Sequence, residues 1–178
     1  MSKNKKIIIV AVVAVVLVAI GISAFFIVKN NTFSYNENNA LSYARKIKNN
    51  LKSPDSLKFH DDILYIAAKI DDEIHIYFYF DYTAKNSFGT DVRSQFVFID
   101  GEQRDLNEAS PNLHKAQDYE KKPNEWEKAR QENLVMLKEH QKVLDARTVL
   151  NSYKLAGSNG TNIVECEVIS SKKIARKL

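Results

Sequence analysis

His60, Asp61 and Asp62 set an imidazole beside two carboxylates, donor types that a divalent metal or a proton-transfer site uses. Consecutive residues on an extended chain point to opposite faces, so at most two of the three could meet one ion, and a solvated turn accounts for them better. Asn86-Ser87-Phe88-Gly89, with Arg93 shortly after, offers a carboxamide, a hydroxyl and a guanidinium, which together could hydrogen-bond a polar ligand or a partner loop. Asn and Gly also tolerate positive φ, so the geometry of a hairpin loop explains the same residues. His75 and His114 have no carboxylate at a catalytic spacing along the chain, and His140 falls on the apolar seam of a helix. Cys166 occupies an alternating strand position that suits a small core residue. No pattern assembles a nucleophile, a base and an oxyanion donor, so no catalytic residue, metal ligand or cofactor is assigned. The binding candidates are Asn86, Ser87 and Arg93.

These groups need a frame, and the periodicity of the chain supplies one. Ser34-x-x-Glu37 has the form of a capping box ahead of Ala40, Leu41, Ala44, Ile47 and Leu51, a stripe of three- and four-residue steps. The spacing predicts an amphipathic helix that Ser53-Pro54 ends. Residues 63–68 and 74–84 are rich in β-branched and aromatic side chains, and Asp71-Asp72 supplies a turn between two strands. In the second strand Ile74, Ile76, Phe78, Phe80 and Tyr82 share one face, and His75, Tyr77, Tyr79 and Asp81 share the other. Val92 to Ile99 reads as a third strand, closed by Asp100-Gly101.

Residues 102–123 are polar and read as a surface connection with a short helix near 112–121. After Pro123-Asn124 a long helix runs to about Ala156, with Trp126, Ala129, Met136, Leu137, Val143, Leu144 and Leu150 near seven-residue steps and Gly157 as its stop. Residues 161–169 alternate as a last, edge strand, and 170–178 form a basic tail. The expected fold is α+β: 33–101 give a helix and a three-stranded antiparallel meander, and 124–169 complete the same domain with the long helix and final strand. A cystatin-like or nuclear-transport-factor-like architecture, a curved sheet wrapped on helices, is the nearest analogy.

The net charge of the 178 residues is +4, from 26 Lys plus Arg against 22 Asp plus Glu. Lys3, Lys5, Lys6 and Lys29 account for all of that excess, because residues 30–178 carry 22 bases and 22 acids. A neutral remainder argues against a nucleic-acid partner, so the aromatic row from Tyr77 to Tyr82 is assigned to sheet packing rather than base stacking. Ile7 to Val28 carry no charge, and at about 1.5 Å per residue they reach about 33 Å, the thickness of a hydrocarbon core. Phe25 to Val28 prolong the apolar run past the nearest small-residue cleavage position, which favours an uncleaved transmembrane helix over a signal peptide. Three lysines before the run and one after it leave residues 1–6 as a cytoplasmic stub and the rest outside. Secretion after cleavage is the alternative. The Lys, Asn and Ile usage has the look of an AT-rich bacterium.

Leu51-Lys52-Ser53-Pro54-Asp55-Ser56-Leu57-Lys58-Phe59, followed by the Asn-Ser-Phe-Gly loop at 86–89 and by Arg93, resembles a family of bacterial membrane-anchored domains that carry these two motifs. The resemblance covers about residues 40–99 and implies a shared small α+β fold without assigning an activity. Two functions follow as expectations. One is a non-catalytic interaction module, held at the lipid bilayer and docking a protein partner at the cell surface. The other is a small ligand-binding protein or hydrolase using the Asn-Ser-Phe-Gly loop and the concave sheet face.

Overall fold

Strand β3 (Glu73–Lys85) is the longest in the sheet and carries neighbours along both edges. The computed structural model describes residues 35–113 and 123–178. Ala40–Leu178 form one compact unit. Residues 35–39, the described part of the other unit, are the first turns of helix α1 (35–50). Ser34 and the apolar run Ile7 to Val28 lie outside the described residues. Among the described residues no helix is long and apolar enough to cross a membrane.

The strands are β1 (Lys58–Phe59), β2 (Ile63–Ile70), β3, β4 (Asp91–Ile99), β5 (Glu102–Asp105) and β6 (Ile163–Ile169), in the order β5-β4-β3-β2-β6. All neighbours are antiparallel. The expected three-strand meander is therefore a four-strand one, with β6 added beside β2. Two-residue turns join β2 to β3 and β4 to β5, with positive φ at Asp71 (46°), Asp72 (68°), Asp100 (49°) and Gly101 (94°). This is the handedness that matches the twist of a hairpin, and Asp and Gly are residues that accept it. Strand β1 continues the line of β2 along β3. Phe59 pairs with Tyr82 and Leu64 with Tyr79, so four residues of one strand stand against two of the other. The surplus pushes His60-Asp61-Asp62 out as a bulge.

Period-2 alternation divides the sheet into two buried faces. One presents Ile63, Tyr65, Phe78, Phe80, Tyr82 and Phe98 to Ala40, Ala44 and Ile47 of α1. Ile74 and Ile76 share that parity but stay 60% and 38% exposed at the hairpin end, beyond the helix. The other face presents Leu64, Ile66, Tyr77, Tyr79, Val97 and Ile99 to helix α2 (Pro123–Ala156). Its packing residues are Ala146, Val149, Leu150 and Tyr153, near the C-terminal end. Trp126 and Leu137, read from the sequence as part of one continuous seam, remain 42% and 45% exposed. A helix of 34 residues is about 51 Å long and outruns the face it covers.

Two segments differ from expectation. The 102–123 connection opens with β5, whose backbone pairs with β4. It continues into buried Leu106, whose carbonyl accepts a hydrogen bond from Arg147 Nε at 2.7 Å. From residue 114 the short helix expected there lies outside the described residues. The basic tail is also ordered: Ser171–Ala175 form α3, Ile174 is fully buried against the α1 side, and Lys48 Nζ donates to the Leu178 carbonyl at 3.3 Å. Buried Ile174, partly buried Leu178 and buried Ser171 dock the segment, while its four cations are exposed.

Candidate functional site

The Asn-Ser-Phe-Gly loop joins β3 to β4 and is closed by its own asparagine. Asn86 Oδ1 accepts the backbone N–H of Phe88 at 2.9 Å and of Thr90 at 3.0 Å, and Gly89 takes the positive φ of 77° that the loop needs. Ser87 is exposed, and Phe88 stands 92% exposed at the tip. Ser56 of the other motif ties the two together. Its hydroxyl donates to the Ser53 carbonyl at 2.6 Å and accepts the N–H of Lys85, the residue before Asn86, at 2.8 Å. The two stretches therefore occur together because one turn braces the other. Asn86→Ala is expected to cost about 1 kcal/mol, the scale of a lost side-chain cap, without altering ligand binding. Chemical denaturation checks the first part and titration the second.

Arg93 points away from that loop. Its Nε and Nη2 donate to the two carboxylate oxygens of Asp81 at 2.8 and 2.7 Å, and Gln95 Nε2 adds a third bond to Asp81 Oδ2 at 2.8 Å. Asn86, Ser87 and Arg93 thus share one end of the hairpin without converging on a common point. The guanidinium and the Gln95 amide hold the Asp81 carboxyl below its ordinary range, against a smaller opposing effect of burial. A lowered folded-state pKa stabilises the fold above the unfolded value, about pH 4, and that contribution is lost as pH falls through the folded value. Acid titration of stability is expected to fall more steeply for the parent protein than for Asp81→Asn, which cannot titrate; equal slopes would count against the pairing.

Asp81 and Gln95 form one end of a cavity of about 280 Å³ between α2 and the sheet. Leu64, Leu106, Leu150 and Val168 give it apolar walls, and Tyr153 and Lys154 close it from the last turns of α2. Tyr79 holds the helix in place, since its buried hydroxyl donates to the Ala146 carbonyl at 2.7 Å. Burial drives the Tyr79 phenol far above its usual range, so it stays a neutral donor. The bulge supplies the remaining rim. His60 Nε2 meets Thr83 Oγ1 at 2.5 Å, Asp62 Oδ1 accepts the backbone N–H and hydroxyl of Ser171, and Asp61 lies on the cavity. The three residues thus do not converge on one point.

A second cavity of about 200 Å³ lies over the same face, beside His75, Tyr77 and Lys142. There the fold supplies the carboxylate that chain spacing does not: Asp100 Oδ2 lies 2.7 Å from His75 Nδ1, while Asp100 Oδ1 accepts the Ile76 N–H. Tyr77 is pushed up to about 12 by burial, reinforced by Asp145 and Asp100. The charges around it pair with one another. Lys142 reaches Glu139 at 3.0 Å and Glu102 at 3.5 Å, and Arg104 binds both of those glutamates. His140 Nε2 stands 3.4 Å from Ser110 Oγ, and Cys166 is half-buried against the α2 face. Among the described residues no three His, Cys, Asp or Glu side chains could share a metal ion.

The first cavity is therefore the stronger candidate, having apolar walls and a fixed polar end with charges left over. Hairpin register was the sequence signal for part of it. Once Asn86 and Gly89 place the loop, Lys85 meets Asp91, Asp81 meets Gln95, and Arg93 falls diagonal to Asp81. Comparison of the chain with protein-family models, curated proteins and solved structures finds no match.

Proposed function

We propose that the chain is a single-pass, membrane-anchored extracytoplasmic protein whose α+β domain is a non-catalytic binding module for a small, largely apolar ligand. The charge-free run Ile7 to Val28 with its lysine asymmetry supports the anchor. The cavity under the end of α2 carries the binding reading. A concave apolar site with a few convergent polar groups is the usual form of a ligand site. The analogy to a sheet wrapped on helices belongs to the same proposal, as does kinship with bacterial domains bearing the two motifs.

Methyl spectra of the full chain in nanodiscs of zwitterionic lipid test the binding reading with indole as a neutral probe. Saturable shifts at Leu64, Leu150 and Val168, with those at Leu64 and Val168 lost in Leu150→Trp, are expected; no shift removes it. Alkaline carbonate washing and protease added outside spheroplasts test the anchor. Release from the membrane, or survival of the domain, would count against it. A protein partner is the second reading, favoured by the ring of Phe88 held in water on a braced loop.

A further inference from the structure

We propose that the ligand of the cavity between α2 and the sheet is an amphipathic amine, an apolar or aromatic body carrying one ammonium group. This rests on the binding reading above and adds to it the size and charge of the occupant. Size follows from volume. A cavity of 150 Å³ is known to hold one benzene, so about 280 Å³ accommodates a body of about ten to twelve heavy atoms on the same scale.

Charge follows from what each lining group already holds. Among the described residues, Asp61, Asp62 and Asp81 line the cavity with one cation, Lys154. Asp81 is compensated by the two-pronged bond from Arg93. Asp62 receives only uncharged donors, the amide and hydroxyl of Ser171, so its negative charge stays. Asp61 is exposed at the open rim and shares with Asp81 the field of Arg93, whose guanidinium is bonded to Asp81. Among the described residues three carboxylates thus face two cations, Arg93 and Lys154, a surplus of one negative charge. Lys154 is exposed on a flexible stem and can turn its ammonium to water, whereas the short Asp61 cannot leave the rim. An ammonium at Asp61 with its apolar body against Leu64, Leu150 and Val168 satisfies both halves of the site. An anion would meet the uncompensated carboxylate at the rim.

Three probes of one shape separate this claim from the reading beneath it: tryptamine, indole and indole-3-acetate, titrated into the full chain in nanodiscs of zwitterionic lipid and followed by the Leu64, Leu150 and Val168 methyls. Tryptamine is expected to bind about tenfold tighter than indole, the scale of one charged hydrogen bond, and indole-3-acetate more weakly than either. Asp61→Asn, an exposed position, should bring tryptamine to the level of indole. Indole equal to tryptamine, indole-3-acetate tighter than either, or tryptamine indifferent to Asp61→Asn would each overturn the amine while leaving the cavity as a binding site. Silence with all three probes would overturn both.

Discussion

Phe98→Ala is expected to lower the stability of the domain by about 3–5 kcal/mol, the range for truncating a buried aromatic. Phe98 is 1% exposed and lies on the α1 face of β4. Its ring stacks on Tyr43 of α1 with centroids 4.2 Å apart and meets the edge of Phe80 at 5.7 Å. Truncation therefore does more than empty a volume. It removes the ring against which α1 lies and leaves Tyr43 and Phe80 facing a void that the pleated backbone cannot close. Against a usual total of about 5–15 kcal/mol this is a large fraction. Urea denaturation followed by far-ultraviolet circular dichroism measures it as a lowered midpoint at unchanged slope. Phe88→Ala, at the solvent-exposed loop tip, is the control and should shift stability by less than about 0.5 kcal/mol. A loss at Phe98 no greater than that at Phe88 would mean that α1 does not depend on this ring.

The contrast between Phe98 and Phe88 also marks how far the amino-acid pattern could be read. Alternation through β3, the turn residues Asp71-Asp72 and Asp100-Gly101, and the stops at Pro54 and Gly157 are local signals, and the elements they predict are present. Strand β5 has no such signal. Glu102-Gln103-Arg104-Asp105 are all polar, and their conformation comes from backbone pairing to β4 rather than from side-chain burial. Helix α3 is five residues long, too short for a periodic pattern, and is held by buried Ile174 and by the bonds from Ser171 to Asp62. The His75–Asp100 contact spans 25 residues and exists only in the register that pairs Tyr77 with Ile99. The first cavity was less legible still, because its walls come from the bulge, β2, β6 and the end of α2. No one stretch of sequence contains it.

Gly160→Ala tests whether the wall of that cavity is fixed by a close backbone approach. Gly160 follows the 3-10 turn Gly157–Asn159 that turns the chain from α2 into β6, and its φ of −60° suits any residue, so backbone strain is not the issue. Space is. A Cβ there would come within 2.7 Å of Ser152 Oγ, 2.8 Å of Ile163 Cδ1 and 2.9 Å of the Ser152 carbonyl oxygen. The first two atoms end flexible side chains and can rotate away, but the third belongs to the helix backbone. The end of α2 has to move, and overpacking of this kind costs about 1–3 kcal/mol. Leu150, Tyr153 and Lys154 ride on the same turns, so the substitution should also weaken indole binding, an effect that a purely local clash would not produce. Ser152→Ala in the same chain separates the two contacts. Deleting the hydroxyl relieves the 2.7 Å clash and leaves the carbonyl one, so the double variant should recover only part of the lost stability. Full recovery would assign the strain to the side chain and free α2 from this constraint.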